Sequence, residues 1–420
     1  MLKSNILKKL YILLTIVFVC SITFNSNQIL AEEKGKEASI YKPTEKTTGL
    51  VKNPAMGWVL YLDAFNQMTN DDMPDINKGV FDADLFWNAF DESGATDKAS
   101  IFYIRAPWSY FEPKEGKYAW DHDSNYKKLI NHALENNIKL SFRVYMDSQD
   151  SFQQATPDYV KEAGAKGYNN TFWTPYINDE VFLEKFTRFI EAFGEEYNDP
   201  SKVDFVDGMG LGHWGEGHGI RSDNSQPGNV NTSVKIITET YRNAFANVLL
   251  GPQQGGALAN QAEDLVKSNK YDILRRDSFG MAQYFNQDDI DYYVDKLLNE
   301  GIPLFAENGW NYFAHDFEKY MNENGAPFSN IRDMLEASLS DALAARANTF
   351  DFRVPEDAIE WMKNEDLVDE FVDKGGYRFV PTALEFPTSI TTNDYLTVKS
   401  NWKNTGIGKM PNNRPAWDYK

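Results

Sequence analysis

Residues 56–68 read MGWVLYLDAFNQM. The apolar run is too short for a globular helix and suits a fully buried strand. The residues just after it decide the fold. Strands that alternate with helices build a parallel sheet, either open and doubly wound or closed into a barrel. The open sheet usually carries a glycine-rich phosphate-binding turn after its first strand. DAFNQM has no glycine, so a closed barrel is the expectation.

Along the rest of the chain the same kind of run recurs in ASIFYIRA (99–106), IKLSFRVYM (138–146), VDFVDGMGL (203–211), YDILRRD (271–277), IPLFAEN (302–308) and TFDFRV (349–354), and more weakly in ANVLLG (246–251). Helical stripes lie between them. Tyr126, Leu129, Ile130, Ala133 and Leu134 repeat at helical spacing. So do Phe182, Phe186, Phe189, Ile190 and Phe193, then Ile290, Tyr293, Val294, Leu297 and Leu298, then Ile331, Met334, Leu335, Leu339, Ala342 and Leu343. These stripes read as core. Eight βα units over roughly 320 residues predict an α/β fold, a (β/α)8 TIM barrel, over 48–375.

The ends differ from this pattern. Residues 1–31 carry Lys3, Lys8 and Lys9, an apolar stretch from Leu10 to Val19, then small and polar residues to Ala31, the pattern of a secretory signal peptide. Cleavage near Ala31 is expected, giving a secreted or cell-surface protein with no membrane association afterwards. Residues 32–47 read as a polar, mobile leader. The tail, 376–420, has no helical pattern. FVPTALEF and DYLTVKSNW read as strands bounded by Pro, Thr, Asn and Gly, the start of a β-sandwich. A whole sandwich needs on the order of 100 residues, so either this one is truncated, which is the expectation, or these strands pack on the barrel.

The only cysteine, Cys20, lies in the expected signal peptide, which removes disulfide and thiol chemistry from the rest. The net charge is −20, and loss of the signal peptide's lysines makes it more acidic. Nucleic acid is therefore not an expected partner, because phosphate contacts need basic patches. Aromatic residues make up 14% of the chain, which suits stacking on carbohydrate, the expected partner.

In a TIM barrel the chemistry sits at the C-terminal ends of the strands. The fourth strand runs into GLGHWGEGHG (210–219) and Glu216. The seventh runs through IPLFAENGW into Glu307. The two glutamates are three βα units apart, so they face one another across the barrel mouth. A carboxylate pair there is what glycoside hydrolysis requires: one protonates the departing oxygen and the other attacks the anomeric carbon or activates water. The glycines beside Glu216 let a ligand or another backbone approach closely. Glu307 ends a buried run, where a carboxylate must be paired or hydrogen-bonded.

Other residues would line the mouth. Arg105 and Arg143 end strands two and three, with Tyr145 beyond Arg143 and Asn308 beside Glu307. Trp108, Trp214 and Trp310 are candidate sugar-stacking platforms. Asp351 and Arg353 flank the end of strand eight, as site residues or as an ion pair. His213, Glu216 and His218 spell H-x-x-E-x-H, which is not a helical metal-ligand spacing. No metal and no cofactor are expected. DDMPD (71–75) reads as a solvated acidic turn.

The segment RAPWSYFEPKEGKYAWD (105–121) resembles the signature after strand two of clan-A glycoside hydrolases, the superfamily that includes the family 42 β-galactosidases. The resemblance spans roughly residues 50–355. It implies a retaining glycosidase with Glu216 as acid/base and Glu307 as nucleophile, and with Arg105 orienting the nucleophile. The tail resembles the sandwich domain that follows such barrels in uncharacterised bacterial proteins. Position 215 departs from the pattern. The clan usually places asparagine before the acid/base, where it binds the sugar 2-hydroxyl; here that residue is Gly215. His213, two residues upstream, could supply the missing contact if the segment were a strand, since alternate residues share a face. The alternative reading is a barrel that binds carbohydrate at the cell surface without cleaving it.

Overall fold

The computed structural model describes residues 38–44, 47–63, 82–147, 154–169, 172–225, 228–310, 328–393 and 395–411. The expected signal peptide, 1–31, and the DDMPD turn lie outside them. Among the described residues no helix is long and apolar enough to cross a membrane.

Eight parallel strands form one sheet: β1 (Gly57–Asp63), β2 (Ala99–Pro107), β3 (Lys139–Tyr145), β4 (Val203–Asp207), β5 (Leu249–Leu250), β6 (Leu274–Phe279), β7 (Leu304–Asn308) and β8 (Thr349–Asp351). Apart from β5 and β6, each pairs with its neighbour in sequence, and β8 pairs with β1. Between β5 and β6 the ring is completed by Asp272 N donating to Leu250 O (2.8 Å), Arg275 N to Pro252 O (3.0 Å) and Gln254 N to Arg275 O (2.8 Å). The expected TIM barrel is what the chain forms. Even the weakest strand of the sequence reading, ANVLLG, supplies its two-residue β5.

Helices follow the strands, among them α1 (Ala83–Ser93), α2 (Ser124–Glu135), α3 (Glu180–Tyr197) and α4 (Val230–Ala244). Asp82, Asp123, Asp179 and Asn229 cap them, each side chain accepting from main-chain N–H groups of the first turn. On α3 the stripe Phe182, Phe186, Phe189, Ile190 and Phe193 is buried as expected.

Strand alternation sorts the side chains. Trp58, Leu60, Phe102, Ile104, Phe142 and Val206 join the apolar layer that also contains the helix stripes. Their alternates Val59, Tyr61, Ile101, Tyr103, Ser141, Arg143, Phe205 and Asp207 are equally buried yet stand outside that layer, inside the ring. The interior is graded. Lower down it is aromatic, with Tyr61–Tyr103, Tyr103–Phe205 and Phe205–Phe305 ring centroids 4.8, 5.7 and 4.8 Å apart. Above these rings, toward the C-terminal ends, it becomes charged.

The tail corrects the sequence reading in two ways. Residues 404–411 belong to the barrel unit, where Asn348 Nδ2 donates to Lys409 O (2.6 Å) and Asn404 Oδ1 accepts from Arg378 N (2.8 Å). The remainder, 379–403, forms a separate small unit with residues 38–44. There Ala38–Tyr41, Phe379–Pro387 and Lys399–Asn404 make a three-stranded sheet, in which Ala38–Tyr41 pairs antiparallel with Phe379–Pro387. Part of the expected leader is thus a strand. Four residues with a charge on either side carry too short a pattern to read alone; pairing with a distant strand supplies their hydrogen bonds.

Candidate active site

At the C-terminal end of the ring the in-facing residues of several strands meet. Arg143 of β3 is wholly buried and serves four partners. Its Nε donates to Asp207 Oδ2 (2.9 Å), its Nη1 to Glu216 Oε1 (2.5 Å), and its Nη2 to Gln253 Oε1 (3.0 Å) and Glu307 Oε2 (3.4 Å). The terminal nitrogens of a guanidinium share one carbon, so the two glutamate oxygens are no more than about 8 Å apart.

Glu307, at 2% exposure, accepts from three arginines. Arg275 Nη2 lies 2.7 Å from Oε2, Arg143 Nη2 lies 3.4 Å from it, and Arg353 Nη1 bonds Oε1. Tyr61 Oη adds a fourth donor to Oε1 at 3.3 Å. The guanidinium groups lie over the rings beneath: Arg275 4.2 Å from the Tyr103 centroid, Arg353 4.7 Å and Arg105 5.6 Å from that of Tyr61. Stacking on aromatic faces offsets part of the cost of burying these cations.

The two glutamates are pushed in opposite directions. Burial raises Glu216 to about 7, reinforced by the negative charges of Asp277 and Glu307 and opposed by Arg143 and Arg105. Burial also pushes Glu307 upward, but Arg353, Arg143, Arg275 and Arg105 together hold it well below the ordinary carboxylate range. A guanidinium bonded to Glu216 alone would hold it as an anion. Arg143 is divided among three carboxylates and cannot compensate each fully, so burial prevails at Glu216. Asp351 is raised to about 7 by burial. It also organises the end of β8, accepting from Asn308 N (2.9 Å) and Arg353 N (3.1 Å).

The segment after β4 is not a strand. It is a tight knot in which His213 N bonds His218 O (2.9 Å), Glu216 N bonds His213 O (2.9 Å) and Gly217 N bonds Leu211 O (2.8 Å). Gly210, Gly212, Gly215, Gly217 and Gly219 all have positive φ, which answers why the stretch is so rich in glycine. Gly215 (φ 78°) also packs on Arg143: a Cβ there would stand 3.2 Å from Arg143 Cδ. Trp214, Ser278 and Arg353, at φ 56°, 71° and 55°, hold the same conformation without being glycine, all beside the ends of strands. Strain of this kind concentrates at functional sites.

The other expected site residues divide into two groups. Arg105 is in the cluster, but its Nη1 lies 3.6 Å from Glu216 rather than on Glu307; Arg275 and Arg353 are the close partners of the expected nucleophile. His213 stands with its Nε2 3.5 Å from Asp147 Oδ2, and because the segment is no strand, the alternation that would have put it on the face of position 215 does not apply. Trp214 is half-buried between His213 and His218, with ring centroids 5.9 and 6.0 Å away. Trp108 is fully buried, bonded to Glu112 (2.9 Å) and packed on Phe186. Trp310 is also fully buried, its Nε1 on Gly280 O (2.8 Å). These two are core rings, not platforms. Tyr145 is buried at the end of β3. Among the described residues no three His, Cys, Asp or Glu side chains gather as metal ligands.

Arg275, Asp207, Gln253 and Tyr61 are absent from the expectations drawn from the sequence. Arg275 carries a signal there: two adjacent arginines in the apolar run YDILRRD, one of which must point inward.

The fold and the site together define a (β/α)8 barrel with a buried, arginine-clamped carboxylate pair at its C-terminal mouth. No family model matches the chain, and no curated protein matches it. Solved structures similar to it include an endogalactoceramidase (12% identity, TM-score 0.45, covering 79% of this chain and 82% of that one). Another is an exo-β-1,4-mannosidase from Opitutaceae bacterium strain TAV5 (14%, TM-score 0.47, 79% and 63%). A third is a psychrophilic family 10 endo-β-1,4-xylanase (13%, TM-score 0.41, 71% and 86%). At these scores they say nothing of this chain's substrate.

Proposed function

We propose that this protein is a glycoside hydrolase that cleaves by a retaining two-carboxylate mechanism. The observation that carries the reading is a single buried guanidinium, Arg143, holding two carboxylates whose acidities are driven apart. Paired titratable groups pushed in opposite directions mark an acid and a base or nucleophile. Glu307, kept ionised, attacks the anomeric carbon. Glu216, protonated near neutrality, gives its proton to the departing oxygen. Once Glu307 is esterified, its negative charge no longer raises Glu216. Glu216 then loses its proton more readily and acts as base on the water that releases the sugar. Trp214 is the proposed stacking face. Asp351 and Asn308 set Arg353 and hence Glu307, and export through the leader Met1–Ala31 would bring the enzyme to extracellular carbohydrate.

The test is a panel of 4-nitrophenyl α- and β-glycosides with the wild type, Glu216→Gln and Glu307→Gln. One glycoside should be hydrolysed by the wild type, with the configuration at the anomeric carbon of the first product retained by proton NMR, and neither variant should turn it over. An inverted product would overturn the retaining assignment.

A second reading is a carbohydrate-binding barrel without turnover. It is favoured by the fact that both oxygens of Glu307 are already engaged. It predicts that glycans bind the wild type and Glu307→Gln alike while no glycoside in the panel is cleaved.

A further inference from the structure

Two primary amides beside the carboxylate pair have hydrogen-bonding capacity that the described residues leave unused. Gln253 lies just beyond β5 and is wholly buried. Its Oε1 accepts from Arg143 Nη2, the same nitrogen that reaches Glu307. Arginine has donors only, so the orientation of this amide is fixed: Oε1 faces Arg143 and Nε2 is turned away. That Nε2 has no hydrogen-bond partner among the described residues. Asn308 adjoins Glu307 and is 1% exposed. Its Oδ1 accepts from Trp310 N (3.3 Å), again a donor, so Nδ2 is the other end, and it too has no partner among the described residues.

A buried donor left without an acceptor is costly and rare in native proteins, and calls for an explanation such as a ligand. Gln253 shares Arg143 Nη2 with Glu307, whereas Asn308, next to Glu307 on β7, turns to the opposite face of the strand and bonds Trp310 N. Position 215 supplies no amide: it is Gly215, held at a φ of 78°, where a Cβ would press to 3.2 Å on Arg143 Cδ. The donors of two central arginines, by contrast, are largely spent on the protein's own groups: Arg143 on Asp207, Glu216 and Glu307, and the terminal nitrogens of Arg275 on Asp207, Glu307 and Tyr103. What Gln253 offers a ligand is an uncharged N–H.

Resting on the glycosidase reading, we infer that Gln253 is a specificity-determining donor of the sugar subsite, giving one N–H to a hydroxyl oxygen of the ring attacked by Glu307. The substrate class is a neutral pyranose rather than a uronic acid. A hydroxyl oxygen accepts from an amide without bringing in another charge. A sugar carboxylate would add an anion beside Asp207 and Glu307, where the donors of Arg143 are already taken.

The experiment is a cycle between enzyme and substrate. First, the neutral 4-nitrophenyl glycosides are compared with 4-nitrophenyl β-D-glucuronide. Then 2-, 3-, 4- and 6-deoxy versions of the best neutral substrate are assayed with the wild type and Gln253→Met. Removing the hydroxyl that meets the amide should lower wild-type kcat/KM roughly 10- to 100-fold. In the variant the same deletion should cost less than about threefold, because the donor is already gone. Gln253→Leu also removes the N–H and should give the same cycle if Gln253→Met fails to fold. A merely structural role would lower all substrates alike. Deoxy penalties unchanged in both variants overturn the inference while the glycosidase reading stands, as does a glucuronide that outruns every neutral glycoside. A wild type that hydrolyses nothing in the panel removes both.

Discussion

Replacing Glu307 by glutamine keeps the shape of the side chain and removes its charge. At many active sites such a change leaves stability equal or improved, because functional groups are held at some cost to the fold. The sign should be opposite here. Glu307 accepts from Arg275 (2.7 Å), Arg143 (3.4 Å), Tyr61 (3.3 Å) and Arg353. Its loss removes the carboxylate that Arg275, Arg143 and Arg353 share. The glutamine Nε2 would also turn an N–H toward donors. Breaking a buried charge network from one side costs about 3–5 kcal/mol. Glu307 is depressed, so the stability it contributes is present above its unfolded-state value of about 4.3 and is lost as pH falls through its lower folded value. The full difference is therefore expected at pH 7. Urea unfolding followed by tryptophan fluorescence should show Glu307→Gln destabilised by about 3–5 kcal/mol, with the gap narrowing in strong acid. A variant as stable as the wild type at pH 7, or more stable, would refute the claim that Glu307 compensates the arginine cluster.

Three further outcomes rest on the same geometry. The acid must carry its proton, so kcat/KM should fall as pH rises through about 7, the value to which burial pushes Glu216; a pH profile of the best glycoside that stays flat to pH 9 would contradict the assignment. Burial raises Asp272, which accepts from Leu250 N (2.8 Å), to about 7. Its contribution is complete below its unfolded value and is lost as pH rises through the folded one, at about 1.4 kcal/mol per pH unit. Wild-type stability should thus rise between pH 7.5 and 5, and Asp272→Asn should lessen that rise in thermal unfolding, leaving the part due to Glu216 and Asp351, which burial also raises to about 7. Gly215→Asn should not restore the side chain usual in the resembled clan: it should cost about 1–3 kcal/mol through the positive φ and lower kcat/KM by displacing Arg143, whereas equal activity and melting temperature would show the loop yields freely.

The barrel is legible in the sequence because each strand is a short apolar run and each helix a periodic stripe, and both signals are local. MGWVLYL and TFDFRV are read independently, yet they pair to join the two ends of the sheet. The carboxylate pair is legible for the same reason, since Glu216 and Glu307 sit where strands four and seven run out. The arginine clamp is not. Arg275 and Arg143 meet only after the ring closes, and nothing near either in sequence names Glu307 as their partner. Arg105 shows the limit from the other side: its strand end is plain in the sequence, but its neighbour, Glu216, depends on the knot after β4. That knot reads as an extended strand because VDFVDGMGL continues the apolar run, but positive φ at Gly210 and Gly212 bends it. The burial of Trp108 and Trp310 comes from packing partners far away in the chain, Phe186 and Gly280.

The most direct test of the carboxylate pair is to incubate the wild type with the 2,4-dinitrophenyl 2-deoxy-2-fluoro glycoside matching its best substrate and to map the labelled peptide by mass spectrometry. The account predicts loss of activity with one sugar per chain, attached to Glu307 in the peptide containing IPLFAEN. A sugar attached to another residue, or hydrolysis that proceeds with inversion and traps nothing, would contradict it.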